Sequence, residues 1–398
     1  MDSIFADRIT DVPRSFIREI LKVALDHSFI SFAGGLPNRE LFPMAELKAA
    51  AGKVFDTFGN DVLQYADSEG SQELRELISR RYRDKKGLDI PVEQILITTG
   101  SQQGIDLLGK SFLNEGDGLV IDEPGYLGAI QAFSLYKPGY YPIPMNDEGM
   151  DVRLLRQVMS RTKPKLMYTV PNFQNPSGIS YSVATRKAIA EIVGGTSTML
   201  IEDDPYGELQ YSGRPRPSFK KLMPDNTILL GSFSKIVTPG LRLGWLVAPE
   251  KLMDKILVAK QAADLHTSYF VQCMVYQYLV DNDIEKHIEL IRESYGRQCR
   301  AMIDSIKEYF PAGVKHTYPE GGMFFWATLP GNTSSRALLD IAIKDKVIFV
   351  PGDPFYVNKK DTNTMRLNFS CTDEKTTGEG IKRLGKAIDT LLGRQEKA

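Results

Sequence analysis

The sequence predicts an α/β chain: a large domain built on a mostly parallel sheet between helices, followed by a smaller α+β domain. Three observations predict it. From about residue 45 to 290, short apolar runs rich in β-branched residues alternate with stretches of helical period, the pattern of strands buried on both faces beneath crossover helices. Beyond Pro311 the order changes, and GGMFFWATL, KVIFVPGDPF and TMRLNFS read as strands with two helical stretches for company. Finally, 398 residues, 42% hydrophobic and 25% charged, are enough chain for two or three domains with a sizeable core. The expected division is an N-terminal helix and covering segment over 1–44, a large domain over 45–290 and a small domain over 291–398.

Composition narrows the function classes. A formal net charge of −1 gives no electrostatic reason to expect nucleic acid or an anionic membrane as partner. Cys273, Cys299 and Cys371 are odd in number, far apart and in no Cys-x-x-Cys spacing, so neither a disulfide framework nor a zinc site is expected, and a reducing cytoplasm fits. His27, His266, His287 and His316 show no ligand spacing, so no metal is expected. No run approaches the roughly 18 apolar residues of a membrane span. The start, MDSIFADRITDVPRS, mixes acids with bases and lacks the apolar stretch of a signal peptide.

Taken in order, residues 13–25 open with Pro13 at a first helical position and place Phe16, Ile17, Ile20, Leu21 and Ala24 on one stripe. Ser15 and Arg18, three apart, share a face away from most of that stripe. In SFAGGLP, Gly34 and Gly35 let something approach the backbone closely. The turn DSEG then precedes a helical segment that ends near Arg83. Residues 95–99 form a short strand running into Gly100, Ser101 and Gln102 at a helix start, where amides and dipole attract an anion. Residues 119–122 are the next strand, followed by EPGYLGA with Tyr126, and residues 166–170 lead into PNFQNPSG, a loop dense in turn formers.

Residues 199–202 precede Asp203 and Asp204. Adjacent side chains on a strand point opposite ways, so the two acids do not face the same site, and a buried acid requires a cationic partner. Residues 227–230 are a buried strand that puts Lys235 at a strand exit, where open α/β sheets bind ligands. In GSFSKIVTPGLRLGW this lysine lies among Ser232, Ser234 and Arg242, donors that suit an anion beside an amine whose pKa falls with desolvation and nearby positive charge. That is the chemistry of a Schiff-base lysine. Residues 250–310 are largely helical and charged. TMRLNFS alternates, with Met365, Leu367 and Phe369 on one face and Arg366, Asn368 and Ser370 on the other, before a final helix over about 373–392.

The lysine stretch resembles the lysine loop of class I/II aminotransferases, pyridoxal 5'-phosphate (PLP) enzymes of fold type I. The resemblance covers nearly the whole chain, with at least five motifs in family order. It implies that Lys235 forms the Schiff base and shuttles the α-proton. It implies that Ser232, Ser234 and Arg242 hold the PLP phosphate together with Gly100, Ser101 and Gln102. Tyr126 would stack on the pyridine ring. Asn175 of N-P-S-G and Tyr206 would donate to the phenolate oxygen, with Pro176 and Gly178 fixing the turn. Asp203 of D-x-x-Y would pair the ring nitrogen, leaving Asp204 structural, and Arg366, with Asn175 beside it, would clamp the substrate α-carboxylate. Tyr65 of Y-x-x-x-x-G would reach across a homodimer interface to the partner's PLP phosphate.

SFAGGLP and KQAADLHTS are similar to segments of the subgroup containing 2-aminoadipate and kynurenine aminotransferases. This implies Gly35 against the substrate, and Ser15 and Arg18 at its distal group. The implied activity carries an amino group from a 2-aminoadipate, aromatic or branched-chain L-amino acid to a 2-oxo acid such as 2-oxoglutarate, by a ping-pong mechanism. Two other readings stay open: a PLP-dependent C–S lyase of the same fold, and a non-catalytic PLP-binding sensor. Because the resemblance starts almost at residue 1, the N-terminal DNA-binding domain of some relatives is not expected.

Overall fold

The apolar runs of the first 290 residues become strands buried on both faces. The computed structural model describes residues 4–10, 12, 20, 26 and 28–395. Its strands, in chain order, are β1 (Ile30–Ser31), β2 (Ile95–Thr98), β3 (Gly118–Glu123), β4 (Gly139–Asn146), β5 (Gly149–Met150), β6 (Leu166–Thr169) and β7 (Met199–Asp203). They continue with β8 (Thr227–Ser232), β9 (Gly244–Val247), β10 (Lys315–His316), β11 (Phe324–Thr328), β12 (Val347–Ile348), β13 (Val350–Pro351) and β14 (Thr364–Asn368). Every residue of β2, β6, β7, β8 and β9 is buried, as a sheet covered by helices on both sides requires.

The large sheet runs β2-β9-β8-β7-β6-β3-β4-β5. The pairs β3–β4, β3–β6, β6–β7 and β7–β8 are parallel; β9 lies antiparallel between β2 and β8, and β5 antiparallel to β4. From β3 the chain moves outward to β4 on one side and through β6, β7 and β8 on the other. The order therefore reverses between β3 and β6, and a crevice outside the strands' carboxyl ends follows from that reversal. Asp203 at the end of β7, and the loops leaving β3, β6, β7 and β8 with Tyr126, Asn175, Tyr206 and Lys235, all lie at that end.

A second sheet, β10-β11-β14-β13, is antiparallel throughout. The stretch KVIFVPGDPF, expected as one strand, is divided. Its first half, β12, pairs with β1; the chain then changes partner at Phe349, which is fully buried, so β13 joins β14, and Asp353–Phe355 closes as a 3-10 turn. The β1–β12 pair, continued by hydrogen bonds from Phe32 N to Ile348 O at 2.8 Å and from Asn368 N to Phe32 O at 2.8 Å, stitches the segment around residues 30–37 against the second sheet. Both faces of β14 are buried, including Arg366, 3% exposed. The expected helix over 13–25 lies almost wholly outside the described residues; Ile20, which is described, is buried.

Candidate active site

At the end of β8, Ser232 accepts the amide of Ser234 at 3.1 Å and bonds its hydroxyl at 2.9 Å, folding Phe233–Lys235 into a 3-10 turn. The turn sends the Lys235 side chain inward. Its Nζ donates to Gly35 O at 3.0 Å and lies 5.9 Å from the centre of the Tyr206 ring. The side chain is half-buried along its length, but its ammonium group is enclosed. Burial pushes the amine down to about 8, with Arg366 and Arg242 adding to that push and Cys371 opposing it. Arg242 adopts φ 50, a left-handed conformation that few side chains take, and this aims its guanidinium at Gly100. A Cβ on Gly100, whose own φ is 76, would stand 2.5 Å from Arg242 Nη2. Gly100 caps the helix Ser101–Phe112 without any side-chain acceptor. An exposed guanidinium therefore faces an uncapped helix start, which is a site for a phosphate.

The side chain of Gln102 is turned to another task, donating to Gly128 O at 2.8 Å and accepting the Tyr126 hydroxyl at 3.4 Å. Its contribution to an anion is through the backbone. Tyr126 stands at the start of the helix Leu127–Ser134, and burial raises its phenol to about 12. The two adjacent acids divide as alternation predicts. Asp204 is neutralised, accepting from Lys86 Nζ at 2.5 Å, Asn172 Nδ2 at 2.8 Å and Gly207 N at 2.9 Å. Asp203 has only Tyr168, whose hydroxyl donates to Oδ2 at 2.6 Å, and its buried Oδ1 has no partner among the described residues. Burial raises Asp203 to about 7.

Arg366 closes the other side. Its Nη1 donates to Asn175 Oδ1 at 2.8 Å and its Nη2 to Ala33 O at 2.7 Å, while Nε is buried without a partner. Phe324 and Phe355 flank the guanidinium, 4.6 and 5.2 Å from ring centre to Cζ, and burial lowers it to about 10. A Cβ on Gly35 would lie 3.4 Å from Phe324 and 3.9 Å from Arg366 Nη1, so the glycine borders the same space. An enclosed amine, an orphaned carboxylate oxygen, a helix start faced by a guanidinium and a second, buried guanidinium thus lie at one sheet end.

Residues 38–384 match the family described as aminotransferase class I and II. The chain belongs to that family. It is 39% identical, over 97% of this chain and 94% of the relative, to aromatic-amino-acid aminotransferase 1 of Thermococcus litoralis. It is 38% identical, over 96% and 95%, to the 2-aminoadipate transaminase of Thermus thermophilus. Among solved structures, kynurenine aminotransferase of Pyrococcus horikoshii, in complex with PMP, superposes with a TM-score of 0.93 at 41% identity, covering 97% of each chain.

As a class I and II aminotransferase, the chain is a PLP-dependent transaminase of fold type I, and its residues fit that cofactor. The orphaned Asp203 Oδ1 can accept from a protonated ring nitrogen, Arg242 beside the helix start at Gly100 supplies charge for a phosphate, and Lys235 presents an enclosed amine that burial lowers to about 8. Tyr65 is not part of this cluster; it is 79% exposed and stands edge-on to His266 at 5.9 Å. Ser15 and Arg18 lie outside the described residues. Sequence reasoning overlooked Tyr168, Ala33 O as the second acceptor of Arg366, and Asp122. Asp122 is buried and raised to about 6 by desolvation; it accepts from Tyr181, Thr169 and Gln174 and so anchors the loop that carries Asn175. A tyrosine within a four-residue buried strand was the available signal for Tyr168, since its hydroxyl must find a partner. A cavity of 580 Å³ lies on the other side of Asp204 and Phe233, and several of its charged residues pair with one another or nearby: Arg81 with Glu208 and Glu285, Lys86 with Asp204, and Arg216 with Glu320.

Proposed function

We propose that this aminotransferase takes the amino group of a 2-aminoadipate, aromatic or branched-chain L-amino acid and passes it to a 2-oxo acid such as 2-oxoglutarate, by ping-pong turnover. The observation that carries the assignment of roles is the buried Arg366 fork facing the enclosed Lys235 amine, with the orphaned Asp203 oxygen between elements of the same crevice. The α-carboxylate of the substrate would displace Ala33 O from Nη2 and accept also from the unpartnered Nε of Arg366, a bidentate pairing with a desolvated guanidinium. Arg366 also holds Asn175 Oδ1, which turns Asn175 Nδ2 outward as a donor. That amide lies beside the Tyr206 hydroxyl, and the two would donate to the phenolate oxygen of bound PLP.

Bound PLP supplies an electron-withdrawing ring that stabilises negative charge at the substrate α-carbon. Asp203 would keep the ring nitrogen protonated, Tyr126 would stack on the ring, and Ser232, Ser234, Arg242, Gly100, Ser101 and Gln102 would hold the phosphate. The Lys235 amine, which burial lowers to about 8, would take up the proton that leaves the substrate α-carbon and act in turn as the acid that gives it up. We assign Gly35 to the substrate face and, from the sequence, Ser15 and Arg18 to the distal group, where a guanidinium favours a second carboxylate. The relatives named for 2-aminoadipate and aromatic substrates support this range.

We also infer a homodimer in which Tyr65, exposed within one chain, reaches the phosphate of the partner's site. No described helix is long and apolar enough to cross a membrane, and the free thiols, Cys371 exposed among them, support the cytoplasm. The test is formation of glutamate from 2-oxoglutarate with a panel of amino donors. Glutamate rising in step with the oxo acid of 2-aminoadipate, phenylalanine or leucine is expected; pyruvate and ammonia released from a sulfur amino acid without any acceptor would instead identify a lyase.

A further inference from the structure

Asp203 is held by a neutral group. Tyr168 of β6 stands in register with Ile201 of β7, and Ile201 and Asp203, two apart, point to the same side of their strand. The long tyrosine ring spans that step, and its hydroxyl donates to Asp203 Oδ2 at 2.6 Å. Both residues are buried, Tyr168 at 0% and Asp203 at 2% exposure, and Phe133 meets the tyrosine ring edge-on at 5.7 Å. The titratable groups facing Asp203 are Tyr168 from β6, Asp204 beside it, Tyr126 from the opposite helix start and Tyr206 from the following turn. None of them is a cation. Asp204, by contrast, is paired with Lys86. A buried carboxylate with a single phenol for company stays ionised only as far as that hydrogen bond allows.

We propose that Tyr168 is a positioning residue whose hydroxyl keeps Asp203 ionised and turns the orphaned Oδ1 into the site. The phenol thereby decides over which pH range this aspartate can keep the cofactor's ring nitrogen protonated. The proposal rests on the assignment of Asp203 to that nitrogen. Desolvation and the neighbouring Asp203 hold the Tyr168 phenol well above its ordinary pKa, so it remains a donor throughout the working range. Burial raises Asp203 and the charge of Asp204 adds to that rise, while the Tyr168 hydrogen bond opposes both, and the balance leaves it near 7.

The experiment follows the carboxyl carbon of Asp203 by NMR in apoprotein labelled at aspartate, with the signal assigned by its loss in Asp203→Asn. Tyr168→Phe keeps the ring and its contact with Phe133 but removes the donor. The midpoint of Asp203 is expected to rise by about one to two pH units, the worth of one hydrogen bond to a charged group. 3-Fluorotyrosine at position 168, a stronger donor, is expected to lower the midpoint, and it carries the test if Tyr168→Phe does not fold. As pH falls, affinity of the apoprotein for PLP should be lost earlier in Tyr168→Phe than in the wild type, with competition by inorganic phosphate unchanged. An Asp203 midpoint that stays in place in both altered proteins overturns the proposal and leaves Tyr168 a packing residue. A wild-type apoprotein that takes up no PLP overturns the cofactor assignment instead, and the carboxyl titration tells the two failures apart.

Discussion

Lys235 is the residue whose state is most open to direct measurement. Its pKa of about 8 lies below the ordinary lysine value of 10.5, so between those limits the folded apoprotein binds fewer protons than the unfolded chain. This group's contribution to stability therefore improves as pH rises from about 8 to 10.5, and below 8 its burial penalty is fully present. Two outcomes are expected. Capture of PLP by the apoprotein, which requires the neutral amine, accelerates about tenfold per pH unit below 8 and levels off above it. The apoprotein of Lys235→Met is more stable to urea than the wild type at pH 7, and the difference shrinks toward pH 10. A capture rate that is flat from pH 6 to 9 contradicts the enclosed amine. Arg366 sets a second residue-scale expectation: Arg366→Lys keeps the charge but loses the fork, so KM for the amino donor rises about 10- to 100-fold while PLP still binds.

At the scale of elements, β8 and β9 place the lysine turn. Gly231 of β8 stands opposite Trp245 of β9, and a Cβ there would collide with the indole, whose Nε1 donates to Tyr82 at 2.9 Å. Gly231→Ala should cost about 1–3 kcal/mol in urea unfolding of the apoprotein and displace the turn that follows. Gly240→Ala, with nothing within 4 Å of its Cβ, should change stability by less than about 0.5 kcal/mol. Equal midpoints for the two variants would contradict the packing described. The strands of the large sheet were legible because each is a short buried apolar run bounded by turn residues, and the lysine loop, N-P-S-G and D-x-x-Y were legible because each motif is contiguous. The division of KVIFVPGDPF was not, since it depends on β1, some 300 residues away, taking one half and β14 the other. The partners of Arg366 lie 191 and 333 residues off, and local patterning carries no trace of them. For Tyr168 the sequence shows a tyrosine inside a buried strand, whose hydroxyl needs a partner, but not which partner, since Asp203 lies on the neighbouring strand.

For the whole molecule, we propose that Leu63, Tyr65 and Leu265, exposed within one chain, are covered by a second copy. Sedimentation should give about twice 44.6 kDa, and a monomer that turns over at full rate would contradict the shared site. We propose that transamination by this chain turns on Lys235. The measurement that tests it most directly is the absorption spectrum of the PLP-loaded protein before and after an amino donor is added without any oxo acid. A visible band is expected to move to the near ultraviolet with glutamate, 2-aminoadipate or an aromatic amino acid, to return when 2-oxoglutarate is supplied, and to make no such cycle in Lys235→Ala. A visible band that survives every donor, or a full cycle in Lys235→Ala, would contradict it.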